Sequence, residues 1–189
     1  MFELHEWINI EKLDFMFLSL NPNAIELLKE NLDNIDDWLY LSKNPNAMSL
    51  LNKNKDKIHW GGALSGNPNA IELLKKNQDK INWSFLSKNP NAIFLLKKNQ
   101  DKINWKKLSS NINAIELLTI NKDKIDWSIL SKNPNAIKLL KENKDKIDWS
   151  MLSMNSNAIK LLKDNQDKIN WSFIVIKYKC NSIIKRKSR

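Results

Sequence analysis

The chain has 189 residues, 42% of them hydrophobic, and a formal net charge of +10 at pH 7. Its single cysteine excludes a disulfide framework, and its three glycines leave no glycine-rich phosphate loop. No stretch reaches the roughly 18–20 apolar residues that a membrane span needs. We therefore expect a soluble chain without a membrane-spanning segment.

A tandem repeat organises the sequence. The block Asn-Pro-Asn-Ala-Ile returns, with small changes, at steps of 22 or 23 residues. Units of this size cannot bury an apolar face alone and must stack on their neighbours. The first two steps are one residue longer, near Asp36-Asp37 and Gly61-Gly62, and the glycines are expected to loosen or bend the stack. The blocks begin at Asn21, Asn44, Asn67, Asn89, Asn111, Asn133 and Asn155.

Two helix start signals follow each other within one unit. Asn133 is a suitable N-cap and the next residue is proline, so we expect a first helix of about nine residues. Asn143 then ends that helix, because asparagine tolerates the left-handed conformation. Asp148 caps a shorter second helix that carries Trp149 and Leu152 on one face. The unit is therefore predicted to be a helical hairpin.

The two ends of the chain depart from the repeat. Residues 13–19 show the second-helix pattern with Phe15 in the place of tryptophan, so the array begins with half a unit behind an N-terminal cap. Terminal units of a solenoid are atypical because their outer face meets water. We predict a single solenoid domain over residues 1–180, with regular repeats over 13–171, and a mobile basic tail over 181–189.

The predicted fold class is an all-α solenoid of about seven short helical hairpins with a cap at each end. The alternative at this period is a leucine-rich repeat, in which each unit pairs a strand with a helix. The leucine pairs lie inside a capped stretch with helical spacing, and no unit alternates with the period of a strand. The helical solenoid is therefore favoured.

Lysine and tryptophan each recur at a fixed repeat position, which makes nucleic acid a partner to consider. Six lysines form a ladder, but an aspartate precedes each of them, so we interpret the ladder as a solvated face. Seven of the eight tryptophans hold one repeat position, which favours core packing over base stacking. The only arginines, the residues best suited to specific phosphate recognition, are Arg186 and Arg189. Nucleic acid binding is expected to be weak and non-specific.

Residues that could carry chemistry are few and dispersed. His5 and His59 lack a metal-ligand spacing, and the repeated aspartates come one per unit and cannot converge on one ion. No GxSxG elbow or pair of catalytic acids occurs. We predict a protein without enzymatic activity, cofactor or metal. The thiol of Cys180 suits a reducing compartment and the N-terminus lacks a signal-peptide core, so we expect an intracellular protein that is not secreted.

The pattern NPNAIxLLKxNxDKIxWxxLS resembles the short tryptophan-containing repeats of uncharacterised proteins from giant, amoeba-infecting DNA viruses of the mimivirus kind. The resemblance covers residues 13–171. It implies a viral protein made in an infected cell, and it brings no established activity. The basic end of the chain, residues 185–189, could act as a weak nuclear signal, so the host cytoplasm or the nucleus is the expected location. The array also looks like ankyrin repeats in using two helices per unit, but it lacks the TPLH motif and the 33-residue period of ankyrin.

We predict a non-catalytic protein-protein interaction scaffold that acts on a host or viral protein. Its candidate partner-binding surface lies where the repeat departs from its own pattern, because exposed apolar groups near lysines are typical of interaction sites. Drift under weak selection explains the same departures. The candidate residues are Phe94, Lys106, Lys107, Ile112 and Ile120.

Two alternatives remain open. One is electrostatic nucleic acid binding through the tail, which would weaken steeply with salt. The other is structural self-assembly by end-to-end stacking, because solenoid ends are sticky unless they are capped. The oligomeric state is left undetermined. The candidate polyanion-binding residues of the tail are Lys185, Arg186, Lys187 and Arg189.

Overall fold

The computed structural model describes residues 5–177, and every regular element in that range is helical. Because the described range contains no strand, the predicted all-α solenoid is confirmed and the leucine-rich alternative is excluded there. One π-helical turn, Trp60–Leu64, interrupts the series of α-helices. The α-helices are α1 (Phe15–Leu18), α2 (Ile25–Glu30), α3 (Leu39–Lys43), α4 (Met48–Lys53), α5 (Ile71–Lys76), α6 (Trp83–Leu86), α7 (Ile93–Lys98), α8 (Trp105–Leu108), α9 (Ile115–Ile120), α10 (Trp127–Ser131), α11 (Ile137–Glu142), α12 (Trp149–Leu152), α13 (Ile159–Lys163) and α14 (Trp171–Lys177).

Short 3-10 turns precede some of the first helices and separate the two helices of each repeat. Before the first block, such a turn lies in the predicted N-terminal cap. The 3-10 turns are Ile10–Lys12, Leu32–Asn34, Pro45–Ala47, Lys55–Lys57, Gln78–Lys80, Pro90–Ala92, Gln100–Lys102, Lys122–Lys124, Pro134–Ala136, Lys144–Lys146 and Gln166–Lys168.

The described residues fall into two compact units, divided between Ile103 and Asn104. The first unit contains α1 to α7 with the π-helical turn, and the second contains α8 to α14. Both units are built from the same repeat. The single domain over residues 1–180 stays a prediction, and the basic tail, 181–189, lies outside the described residues.

Each regular repeat is organised by the two caps that the sequence predicts. The Oδ1 of Asn133 accepts a hydrogen bond from the N–H of Asn135 at 3.0 Å and starts a 3-10 turn that continues into α11. This turn and α11 together fill the nine residues expected for the first helix. The Oδ1 of Asp148 accepts from the N–H of Met151 at 3.0 Å and caps α12. The predicted helical hairpin is confirmed.

The end of the first helix differs from the prediction. Asn143 has φ −134° and ψ 55°, which lies outside the left-handed region. Its Nδ2 instead donates to the carbonyl of Leu139 at 2.7 Å. The helix therefore ends where an asparagine side chain satisfies one of its terminal carbonyls. The same bond to the carbonyl four residues earlier is made by Asn31, Asn54, Asn77, Asn99, Asn121 and Asn165.

The core of each repeat is aliphatic. In the repeat of Asn133, the buried apolar side chains are Ala136, Leu139, Leu140, Ile147 and Leu152. Helices of six and four residues are too short to be stable alone. Each fully buried leucine or isoleucine contributes about 1.5–3 kcal/mol, so the packing between helices supplies the stability that the single helices lack.

A ladder of buried asparagine side chains joins successive repeats. Asn67 is 1% exposed, and its Nδ2 donates to the carbonyl of Asn44, which begins the preceding repeat, and to the carbonyl of Ser42, two residues before it, both at 3.0 Å. Its Oδ1 accepts from the N–H of Asn69 at 2.9 Å. One side-chain amide therefore caps the first helix of its own repeat and bonds the backbone around the start of the preceding repeat. Equivalent pairs of bonds to the preceding repeat are made by Asn44, Asn89, Asn133 and Asn155.

A second ladder consists of buried serines. The Oγ of Ser109 donates to the carbonyl of Trp105 at 2.9 Å and accepts from the N–H of Asp126 in the next repeat at 3.0 Å. Among the described residues, no buried side-chain nitrogen or oxygen lacks a hydrogen-bond partner. The two ladders therefore give each unit a fully bonded polar interior between its repeats. The equivalent N–H is accepted by Ser42, Ser65, Ser131 and Ser153.

The insertion near the two glycines is absorbed without breaking the serine ladder. The second helix widens into a π-helical turn, in which the N–H of Leu64 donates to the carbonyl of His59 at 3.2 Å. The Oγ of Ser65 donates five residues back, to the carbonyl of Trp60, at 3.2 Å. Ser65 still accepts from the N–H of Asn82 at 2.9 Å. The extra residue therefore changes the turn and leaves the bond between repeats in place.

Candidate functional site

In each unit the first helices present an exposed row of side chains, which we call the first-helix face. Each first helix contributes two positions to this face. The two positions are four residues apart, about one helical turn, so their side chains project from the same side of the helix. Two of the predicted departures, Phe94 and Ile120, lie in this face. Its residues are Glu26, Glu30, Ser49, Lys53, Glu72, Lys76, Phe94 and Lys98 in the first unit, and Glu116, Ile120, Lys138, Glu142, Lys160 and Asp164 in the second.

Phe94 lies in α7 of the first unit and is 57% exposed. The Nζ of Lys98, one turn further along α7, lies 4.4 Å from the ring centroid, and the Nζ of Lys75 on α5 lies 5.6 Å from it. Lys75 also bonds the carboxylate of Glu72 at 2.6 Å. Two ammonium groups therefore lie over the ring while more than half of the side chain meets solvent.

Ile120 ends α9 in the second unit and is 73% exposed. It lines an open cavity of about 430 Å³ between α9 and α11. Half-buried Ile115 supplies further apolar surface above the buried Leu139, and two glutamates with one lysine supply the charge. Other repeats carry lysine, glutamate or aspartate at the position of Ile120, so this apolar wall belongs to one repeat only. The cavity is lined by Ile115, Glu116, Thr119, Ile120, Lys138, Leu139 and Glu142.

The remaining predicted residues of the described range lie elsewhere in the second unit. Lys106 is exposed and Lys107 is half-buried, both in α8. Ile112 is 45% exposed and precedes α9, and its carbonyl accepts from the Nδ2 of Asn135 at 2.8 Å. None of these three residues lines the cavity beside Ile120. The predicted polyanion-binding residues Lys185, Arg186, Lys187 and Arg189 lie outside the described residues.

Tryptophan rings at the fixed repeat position are covered by lysines of the following repeat. Trp105 is half-buried, and the Nζ of Lys124 lies 4.7 Å from its ring centroid. The lysine ladder is exposed, as predicted, and its ammonium groups lie where a stacked base would have to bind. Equivalent pairs, at 4.6–5.2 Å, are Lys57 with Trp38, Lys80 with Trp60, Lys102 with Trp83 and Lys168 with Trp149.

The prediction of buried tryptophans is only partly right. Trp38 is 6% exposed, Trp171 in the last repeat is 57% exposed, and the five between them are half-buried. The physical reason is the length of the second helix. A helix of four or five residues buries its leucine fully, and the tryptophan at its start lies at the margin of the core.

A further exposed row, which the sequence did not reveal, lies on the second helices of the first unit. Phe17 and Phe85 are 62% and 43% exposed. The rings of Phe17 and Tyr40 lie 6.2 Å apart, and the ring of Phe85 lies so close to Gly62 that a Cβ there would come within 2.8 Å of it. These residues look like core by type. Their exposure could have been predicted from spacing. Each lies two residues after the inward aromatic residue of its helix, and residues two apart on a helix point to different sides.

One carboxyl group has a clearly shifted pKa. The pKa of Asp148 is held below its usual value, first by the backbone N–H of Met151 and further by the hydroxyl of Ser128 and the backbone N–H of Ser150, while burial opposes the shift. Ser128 belongs to the preceding repeat and donates to Oδ2 at 2.7 Å. The charge on Asp148 therefore serves a helix cap and a bond between repeats.

Within residues 5–177, no three histidine, cysteine, aspartate or glutamate side chains come together as a metal site requires. No helix in the described part of the chain is long and apolar enough to cross a bilayer.

Comparisons of the chain with protein-family models, with curated proteins and with solved structures give no match. The resemblance to viral repeats therefore stays a prediction from the sequence pattern.

Proposed function

We propose that this chain is a non-catalytic repeat scaffold that binds another protein through its first-helix face. The observation that carries the proposal is Ile120 in its cavity. An apolar side chain that is 73% exposed lines an open cavity of about 430 Å³, at a position that is charged in the other repeats. Exposed apolar groups rimmed by charged side chains are a common mark of a protein interaction site.

The cavity offers the chemistry of a protein contact. Its accessible apolar part, formed by Ile115 and Ile120, suits one large apolar side chain, and burying such a side chain contributes about 1.5–3 kcal/mol. Interfaces gain most of their affinity from a few contacts of this kind, surrounded by polar groups. The ladders of asparagine and serine hold the repeats in register, so the surface is organised before the partner binds.

A nuclease-treated pull-down from an amoebal lysate, the host that the sequence resemblance implies, tests the proposal. Ile120→Lys restores the charge found in other repeats, and Asn52→Lys is the matched control because it adds a lysine at another exposed first-helix position. We expect a discrete protein to be retained by the parent chain and the control and to fall about tenfold or more with Ile120→Lys.

The same experiment includes a chain that lacks residues 181–189. A partner that persists without the tail supports the scaffold. Recovery of only nuclease-sensitive, tail-dependent material would reject the scaffold and favour the electrostatic alternative. Equal recovery of a protein by Ile120→Lys would place the contact away from the cavity.

A further inference from the structure

We infer that the first unit binds an acidic peptide segment that carries one large apolar residue. The docking surface consists of Phe94 and the lysines that end α5 and α7, and we call it the Phe94 surface. The inference rests on the proposed scaffold function and names the chemistry of a partner. The lysines of the surface are Lys75, Lys76, Lys97 and Lys98.

Positive charge is concentrated on these two helices. α5 and α7 carry four lysines and a single glutamate, Glu72, which bonds Lys75. On α9 and α11 of the second unit, two lysines are balanced by two glutamates. α11 and α13 together also carry four lysines and one glutamate, so the Phe94 surface differs from them by the exposed aromatic ring that its lysines surround. Carboxylates are the complementary groups of a peptide partner.

The apolar contact lies in the middle of that charge. Phe94 and Lys98 are one turn apart, so both face the same partner. Neighbouring helices lie about 8–10 Å apart, a distance that about three residues of extended peptide span. An apolar residue that packs on Phe94 would thus place acidic residues about three positions away near the lysines that end α5.

A single-stranded nucleic acid is a poorer fit to the same surface. Bases would stack on the face of the phenylalanine ring. The ammonium groups of Lys98 and Lys75 lie over that ring, at 4.4 and 5.6 Å from its centroid. The surface also holds lysines only, and arginine is the residue that pairs with phosphate in a bidentate manner. A peptide can instead pack an apolar side chain against the exposed part of the ring.

Selection of phage-displayed random dodecapeptides on the full chain tests this inference without assuming a partner. We expect selected peptides to hold several aspartates or glutamates around one large apolar residue. Phe94→Glu introduces the residue that Glu72 shows at the same repeat position, and Ser49→Glu is the matched control at that position of another repeat. Both side chains are exposed, so both variants are expected to fold, which circular dichroism will check.

Fluorescence anisotropy of a selected, labelled peptide gives the quantitative result. We expect Phe94→Glu to weaken binding about tenfold or more and Ser49→Glu to weaken it less than about twofold. Affinity should also fall as the NaCl concentration rises, because salt screens the lysines. Selection of neutral or basic peptides, or equal binding by Phe94→Glu, would overturn the inference.

Two further outcomes separate the inference from the scaffold proposal. Peptides whose binding depends on Ile120 but not on Phe94 would overturn the inference and leave the scaffold in place. If neither substitution affects the binding of any selected peptide or protein, both are overturned. Displacement of the labelled peptide by an equimolar oligothymidylate would replace the acidic peptide with nucleic acid as the class of ligand.

Discussion

Replacing Asn67 with alanine removes one rung of the asparagine ladder. The side chain is 1% exposed and makes three hydrogen bonds, two to the carbonyls of Ser42 and Asn44 and one from the N–H of Asn69. The first two join its repeat to the preceding one. The third caps its own first helix. Alanine removes all three bonds and adds no new group to the core.

The loss can be estimated from these bonds. A side-chain hydrogen bond contributes about 0.5–1.5 kcal/mol net, and a buried polar group left without a partner costs about 1–3 kcal/mol. We expect Asn67→Ala to lower the free energy of unfolding by about 2–4 kcal/mol, since the carbonyls of Ser42 and Asn44 lose a buried donor. That is a large part of the roughly 5–15 kcal/mol that stabilises a typical domain.

Asn21→Ala is the matched control. Asn21 begins the first block, is exposed and accepts from the N–H of Asn23 at 3.0 Å, but only half a repeat precedes it. Its loss should cost about 1 kcal/mol, the usual value of an N-cap. Urea unfolding followed by circular dichroism should therefore give Asn67→Ala a midpoint lower than that of Asn21→Ala by roughly 1 M.

Equal midpoints for these two variants would refute the idea that the buried amide stabilises the contact between repeats. Asn67→Asp adds a second check, because it keeps the capping oxygen and turns a carboxylate toward the two carbonyls. We expect it to be less stable than Asn67→Ala at neutral pH and to recover as the carboxyl is protonated.

Three other changes have defined outcomes. Gly62→Ala should lower the unfolding free energy by about 1 kcal/mol or less, because its Cβ would lie 2.8 Å from the end of the Phe85 ring, which is 43% exposed and can shift. Failure of Phe85→Ala to restore the melting temperature would contradict this cause. Ser109→Ala should lower the free energy of unfolding in urea by about 1–3 kcal/mol, and Ser110→Ala, at an exposed site, should lower it by less than about 0.5 kcal/mol. Equal losses would argue that the serine ladder does not stabilise the repeats. The pKa of Asp148 is lowered from 3.8 in the folded chain, so the contribution of its charge to the free energy of unfolding is present above that pH and is lost as the pH falls through the folded-state pKa. Asp148→Asn should therefore make the loss of stability at acid pH less steep. An unchanged slope of stability against pH would contradict the assignment.

The helical hairpin could be predicted because the bonds that begin its helices are local. Asn133 caps through an N–H two residues away, and Asp148 caps through one three residues away. Such bonds depend on residue type and spacing alone. The end of the first helix was less predictable, because Asn143 uses its side chain where a left-handed backbone was expected.

For the candidate site, the sequence predicted which side chains are exposed but not the contacts that surround them. Helical spacing places Phe94 and Ile120 on the outer side of their helices, where the structure has them. The cavity beside Ile120 depends on α11, and the ammonium group over Phe94 depends partly on Lys75 of the preceding repeat. These contacts join neighbouring repeats, and no spacing within one repeat reveals them.

Residue order accounts for the repeat period, the helix starts and the apolar positions, since each depends on interactions within a few residues. Stacking adds what lies between repeats. The Nδ2 of Asn67 reaches carbonyls 23 and 25 residues earlier, and the ammonium group of Lys124 covers a tryptophan of the preceding repeat. Those contacts form because packing of the aliphatic core brings successive hairpins within hydrogen-bonding distance, a spacing that no local pattern specifies.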